Sequence, residues 1–133
     1  MQSRDLFVKG KFTSHSGLEL DTKIDCDSFN IREMRAIAHL LNQRIDPFYI
    51  PIGIPSGGNA LAKCMETYAT KDPSKPFLLC DDVYTTGKSM EGMRIEIPNS
   101  IGAVIFARYP TPDWITPLFS MTPPFYAGVP AHV

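Results

Sequence analysis

Paired cysteines, long apolar runs and a surplus of one charge are all missing from this 133-residue sequence. Its three cysteines, Cys26, Cys64 and Cys80, lie far apart without the spacing of a zinc site or redox dithiol, so each is read as a small packing hydrophobe. No stretch approaches the roughly 20 apolar residues that a membrane span needs. The start, Met-Gln-Ser-Arg-Asp-Leu, carries no apolar signal core, and the chain is expected to be cytoplasmic with no membrane partner. Thirteen basic residues against 14 acidic ones give a net charge of −1. That argues against a nucleic-acid partner held by broad electrostatic attraction. The sequence shows no internal repeat and no low-complexity tract.

What is present is an ordinary globular composition, 44% hydrophobic and 20% charged, on a chain long enough to bury one core as one domain. The twelve prolines crowd toward the end. A Pro-rich tail, 110–133, is therefore expected to follow a core at about 11–110 and to hold neither a regular helix nor a central strand. Residues 6–13 read as extended and broken at Gly10, with a turn at 14–17. Asn30 with Glu33 three residues on resembles a capping box, and Ile31, Met34, Ile37, Ala38 and Leu41 recur at helical spacing to about Arg44. A strand is expected over 48–52, a helix from the Pro55–Gly58 turn to about Tyr68, and a strand over 77–80. A loop over 81–86, a helix over 88–97 and a strand over 101–107 follow. Strand, turn and helix alternate with short connections, which predicts an α/β fold: a compact parallel sheet with helices on both faces, joined by right-handed crossovers. Ligands of such sheets bind beyond the carboxyl ends of the strands.

Asp81-Asp82-Val83-Tyr84-Thr85-Thr86-Gly87-Lys88-Ser89 lies at such an end. A helix start presents unpaired N–H groups and the positive end of the helix dipole to an anion, and Gly87 permits close backbone approach. Thr85, Thr86 and Ser89 add hydroxyl donors. The acids suit sugar hydroxyls, or Mg²⁺ held directly or through water. Two better-known nucleotide motifs fail. A Walker loop ending in Gly87-Lys88-Ser89 needs glycine where Asp82 stands, and a dinucleotide fingerprint from Gly53 needs glycine where Pro55 stands.

A hydrophobic strand, two acids and Thr-Thr-Gly-x-Ser resemble the signature of type I phosphoribosyltransferases. The resemblance implies that Asp81 and Asp82 hold the ribose hydroxyls and that Thr85, Thr86, Gly87, Lys88 and Ser89 hold the 5-phosphate. It extends toward the orotate phosphoribosyltransferase branch. Gly53 to Ala62 is similar to the loop that cradles pyrophosphate, which points to Ser56, Gly57, Gly58 and Asn59. Lys11 to Gly17 is similar to that branch's Phe-Thr-Leu-Lys-Ser-Gly segment, so His15, Ser16 and Gly17, with Lys23 and Arg108, become candidates for the base or for the hood over it. The implied activity is Mg²⁺-dependent transfer of ribosyl 5-phosphate from phosphoribosyl pyrophosphate to a nitrogenous base, or the reverse from a nucleoside monophosphate, by a homodimer.

Two departures open alternatives. The long Lys- and Arg-rich catalytic loop of orotate enzymes is shortened here to the turn 70–76, with Lys63, Lys71 and Lys75 the only local cations. The aromatic residues that pack on orotate after Ser-Gly are missing, which argues against orotate within an otherwise pyrimidine-like expectation. A regulatory protein that binds ribosyl phosphates without turnover, or a nucleotide hydrolase using the same pocket, remains open. Trp114 could stack on a base or cover the sheet edge. Asp25 and Asp27 could face the site or lie on an exposed strand face.

Overall fold

The computed structural model describes residues 6–13 and 19–121. Strands β1 (Phe7–Thr13) and β2 (Glu19–Ile24) form an antiparallel hairpin in which Phe7 pairs with Ile24 and Val8 with Lys23. Helix α1 (Ile31–Asn42) follows. Then come β3 (Pro51–Gly53), α2 (Asn59–Met65), β4 (Phe77–Tyr84), α3 (Lys88–Glu96), β5 (Ser100–Ala107) and β6 (Ile115–Ser120). The last four strands make one sheet in the order β3-β4-β5-β6, every pair parallel.

Helix α1 starts where its sequence says it should. The Asn30 side chain accepts the Glu33 N–H at 2.8 Å and Glu33 returns the bond from the Asn30 N–H at 2.9 Å, a cap worth about 1 kcal/mol. Its periodic residues Met34, Ile37, Ala38 and Leu41 are buried. They share one core with Leu61 and Met65 of α2 and with Leu78, Cys80, Ala103 and Ile105 of the sheet. Leu79 and Val104, on the alternate positions, pack instead with Met90 of α3 and Ile115. Both faces of β4 and β5 are thus covered, which is why Leu78, Leu79 and Cys80 are buried in succession.

This arrangement corrects one expectation. The chain steps from β3 to β4 and from β4 to β5 in the same direction across the sheet, yet α2 and α3 lie on opposite faces. Two parallel crossovers with that geometry must have opposite hands, so one of them is left-handed, against the strong general preference.

Three strand boundaries also differ. The apolar run from Phe48 is core, but the strand holds only Pro51–Gly53. Before it, the carbonyls of Phe48 and Tyr49 accept the Thr70 and Lys71 N–H groups at 3.0 and 3.2 Å. Pro51, which has no N–H to give, is tolerated because β3 is an edge strand. At the other edge, Pro117 sits within β6, so the sheet continues past residue 110 into the proline-rich region. Strand β4 runs on to Tyr84 and includes both acids that were expected in a loop.

Candidate functional site at the carboxyl edge of the sheet

Tyr84 ends β4 and Lys88 begins α3, leaving Thr85-Thr86-Gly87 as the turn. Gly87 has φ +81°, a left-handed conformation that costs other L-residues about 1–2 kcal/mol. A Cβ there would lie 2.6 Å from the Tyr84 hydroxyl, so the tyrosine ring closes the inner side of the turn. Burial, then the Glu91 charge, raises the Tyr84 hydroxyl pKa. No side chain caps α3. The Lys88 N–H makes only a long 3.4 Å bond to Thr86 Oγ1, so the helix start keeps donor capacity for an anion. Thr86, Lys88 and Ser89 are exposed around it, and Thr85 is half-buried.

The acid pair is more constrained than a loop would make it. Asp81 Oδ1 accepts the Asp82 N–H at 2.8 Å and Asp82 Oδ1 accepts the Val83 N–H at 2.7 Å. These carboxylates therefore satisfy backbone donors near the carboxyl end of β4. Burial pushes the Asp81 carboxyl up to about 8, with the hydrogen bond and charge of Asp82 acting in the same sense. In its protonated form the Asp81 carboxyl can donate as well as accept, and in its ionised form it only accepts. Behind the pair lies Cys26, buried, whose thiol pKa is raised by burial and then by the Asp82 charge. Asp25 and Asp27, which could have faced the site or lain on an exposed strand face, are instead the cap and second residue of a 3-10 turn at Cys26–Ser28, with the Asp25 carboxylate accepting the Asp27 N–H at 3.2 Å.

The glycine loop after β3 is seated directly on this pair. A Cβ on Gly57 would collide with the Asp82 carboxylate, and one on Gly58 with the Cys80 carbonyl. The Ile54 N–H bonds the Cys80 carbonyl at 2.8 Å and the Gly58 N–H bonds the Ile54 carbonyl at 2.8 Å. The Gly58 N–H thus helps to fix the loop's own shape. Ser56 and Asn59 stay exposed at the rim, and the Pro55–Ser56 peptide is cis. The two segments singled out from sequence therefore meet at Asp82.

Arg108 follows β5 on the same edge, its N–H bonded to the Tyr84 carbonyl at 2.9 Å. Lys23 sits in the hairpin opposite Val8, and His15, Ser16 and Gly17 lie outside the described residues. Trp114 is a packing residue: it lies against Gly102 and the α3 core, with the Arg94 guanidinium 4.3 Å from its ring centroid. Lys63, Lys71 and Lys75 are exposed. Sequence reading passed over Tyr84 as a variable position inside a motif and gave no role to Phe7, Phe106 or Phe119. These three form an aromatic cluster whose middle ring, Phe106, is in register with Val83 of β4.

No three or more His, Cys, Asp or Glu side chains among the described residues form a cage for a metal ion. Two adjacent carboxylates still have the hard-oxygen chemistry of a Mg²⁺ site completed by substrate oxygens, the usual way this ion is held. No helix among the described residues is long and apolar enough to cross a membrane.

Solved structures share this architecture. Orotate phosphoribosyltransferase from Aeropyrum pernix aligns with a TM-score of 0.65 at 18% identity, over 87% of this chain and 89% of that one. The Mycobacterium tuberculosis orotate phosphoribosyltransferase, solved with Fe(III) dicitrate, gives 0.66 at 16% identity, over 86% and 89%. UMP synthase of Leishmania donovani gives 0.60 at 16% identity, over 87% of this chain and 33% of that longer one. The fold is that of the type I phosphoribosyltransferases. No family model and no curated protein matches the sequence itself.

Proposed function

We propose that this protein binds a ribose 5-phosphate ester, either phosphoribosyl pyrophosphate or a nucleoside 5-monophosphate, and transfers the ribosyl phosphate to or from a nitrogenous base. One observation carries the reading: the glycine loop of β3 and the acid-Thr-Thr-Gly segment of β4 converge at Asp82, beside an uncapped helix start. In this reading Thr85 to Ser89 hold the 5-phosphate, Asp81 and Asp82 the ribose hydroxyls, and Ser56 to Asn59 the pyrophosphate. Mg²⁺, when bound by the acids and substrate oxygens, supplies neutralisation of the leaving pyrophosphate. The chain's own work is positional. It fixes the 5-phosphate and the ribose so that the sugar carbon faces the base, and its oriented dipoles favour the charge that separates as the bond breaks. A homodimer is part of the proposal, with a second copy adding cations that this chain lacks.

A second reading, binding without turnover, is favoured by the connection from α2 to β4. Its polar groups are satisfied within itself, with Ser74 N and Oγ on Asp72 Oδ1 at 3.0 and 2.8 Å and Thr70 Oγ1 on the Phe48 carbonyl at 2.9 Å. It is a short tied turn rather than a cover. Calorimetry with phosphoribosyl pyrophosphate and Mg²⁺, paired with pyrophosphate release across a panel of bases, separates the two. Binding with release supports the transferase; binding with none supports the regulator, unless a nucleotide-hydrolysis assay assigns the pocket to a hydrolase. Failure to bind any ribosyl phosphate sinks all three.

A further inference from the structure

Three phenylalanine rings form one patch where β5 and β6 end. Phe106 meets Phe119 at 5.2 Å between ring centroids and Phe7 edge-on at 6.0 Å. The middle ring is buried at 6% exposure, but Phe119 and Phe7, which flank it, are 45% and 49% exposed. Scattered apolar side chains on a surface need no explanation, but two half-exposed phenylalanines on one buried ring make a contiguous patch.

The chain itself supplies an occupant. Strand β6 ends at Ser120 beside the end of β5, and the Met121 N–H bonds the Ala107 carbonyl at 2.8 Å. Residues 122–133 therefore depart next to the patch. They lie outside the described residues, and their sequence is Thr-Pro-Pro-Phe-Tyr-Ala-Gly-Val-Pro-Ala-His-Val. No Lys, Arg, Asp or Glu follows Asp113, so nothing in this stretch carries the charge that keeps a segment in water. Phe125 and Tyr126 come soon enough after Phe119 that the intervening chain spans at most ~25 Å, ample to turn back over both rings.

Pro123 and Pro124 decide the mode of contact. Neither has an N–H, so this stretch makes a poor further strand on the β6 edge. Adjacent prolines favour the extended polyproline conformation, which has little entropy to lose when it lies on an aromatic surface. The other segments outside the described residues suit the patch less. Residues 1–5, Met-Gln-Ser-Arg-Asp, and 14–18, Ser-His-Ser-Gly-Leu, each carry a single large apolar side chain.

We propose that residues 122–133 fold back on their own chain and lay Pro124, Phe125 and Tyr126 across Phe119 and Phe7. Tethering beside the patch gives the segment an effective concentration on the order of millimolar, enough to fill a contact that would be weak between separate molecules. The inference stands apart from the ribose-phosphate reading and does not need it.

The test is cleavage of the full chain by chymotrypsin after Phe125 and Tyr126, followed by mass, for wild type, Phe119→Ala and Phe7→Ala, beside a free peptide of residues 117–133. Wild type is expected to be cut at these two bonds roughly tenfold more slowly than the peptide, the scale of one aromatic contact. Either alanine variant should move the rate toward that of the peptide. Phe125→Ser with Tyr126→Ser should raise binding of an apolar fluorescent dye severalfold, because the patch is uncovered, and Phe119→Ala should cancel that rise. The tail variants leave the described domain untouched, so they decide the matter should Phe119→Ala fail to fold. Cleavage of wild type as fast as the peptide, or dye binding indifferent to the tail variants, overturns the proposal. Protection that disappears on dilution overturns it too, since the patch would then be covered by a second copy.

Discussion

Gly57 rests against the carboxylate of Asp82 so closely that a single methyl group between them would collide. This contact joins the loop after β3 to the acid of β4, and it makes glycine a steric requirement of the pair rather than a feature of the turn alone. Gly57→Ala is expected to destabilise the domain by about 1–3 kcal/mol, the usual scale of overpacking, and to weaken binding of phosphoribosyl pyrophosphate by tenfold or more. In an Asp82→Ala background the same change should cost far less stability while binding stays lost. A double-mutant cycle by urea melts and calorimetry reads both quantities. Additive stability losses would show that the two residues do not meet.

The Asp81 carboxyl gives a pH dependence with a definite sign. Its folded value of about 8 lies above the roughly 3.9 of an unfolded aspartate, so between those limits the folded chain holds a proton that the unfolded chain has released. Stability contributed by this group is full below about pH 4, falls as pH rises, and is gone above about pH 8. Asp81→Asn cannot ionise, and its side-chain oxygen can still accept the Asp82 N–H. The variant should gain stability relative to wild type as pH rises from 5 to 9. Parallel stability curves for the two proteins across that range would contradict the assignment.

The helix starts were more legible than the strand boundaries around them, and the reasons are local. Asn30 with Glu33, and Thr85 to Ser89, are encoded by neighbours in sequence: a cap and a helix-start turn need only a few residues, and both are where the sequence places them. The run from Phe48 has the apolarity of a strand without the pairing of one: Phe48 is fully buried, but the carbonyls of Phe48 and Tyr49 are taken by Thr70 and Lys71. Extension of β4 through Asp81 and Asp82 was hidden because acids read as loop, whereas here their own carboxylates satisfy the N–H groups of Asp82 and Val83. The opposite hands of the two crossovers leave no local trace, since they depend on which face each helix covers. The Phe7–Phe106–Phe119 cluster joins residues more than a hundred positions apart, beyond the reach of any spacing rule.

Gly87 answers to two constraints at once, a positive φ and the Tyr84 hydroxyl. Gly87→Ala should therefore destabilise by more than the 1–2 kcal/mol of the backbone term alone. Tyr84→Phe, which removes the oxygen and keeps the ring, should be nearly silent by itself and should recover part of that loss in the double variant. Thr86→Ala, by contrast, should leave the melting transition in place and lower affinity for ribose 5-phosphate. An unchanged affinity would remove Thr86 from the anion site.

The thiols give a probe that needs no ligand. Cys26 and Cys80 are buried, and burial and nearby acids push both thiols up, away from the reactive thiolate. Cys64 is only partly covered. A chromogenic disulfide reagent at pH 8 should label one thiol quickly in the native protein, and peptide mapping should place it at Cys64. The other two should follow the unfolding transition in urea, because each needs the β4 core to open first. Rapid native labelling of Cys26 would mean that the turn at 26–28 does not keep its thiol buried.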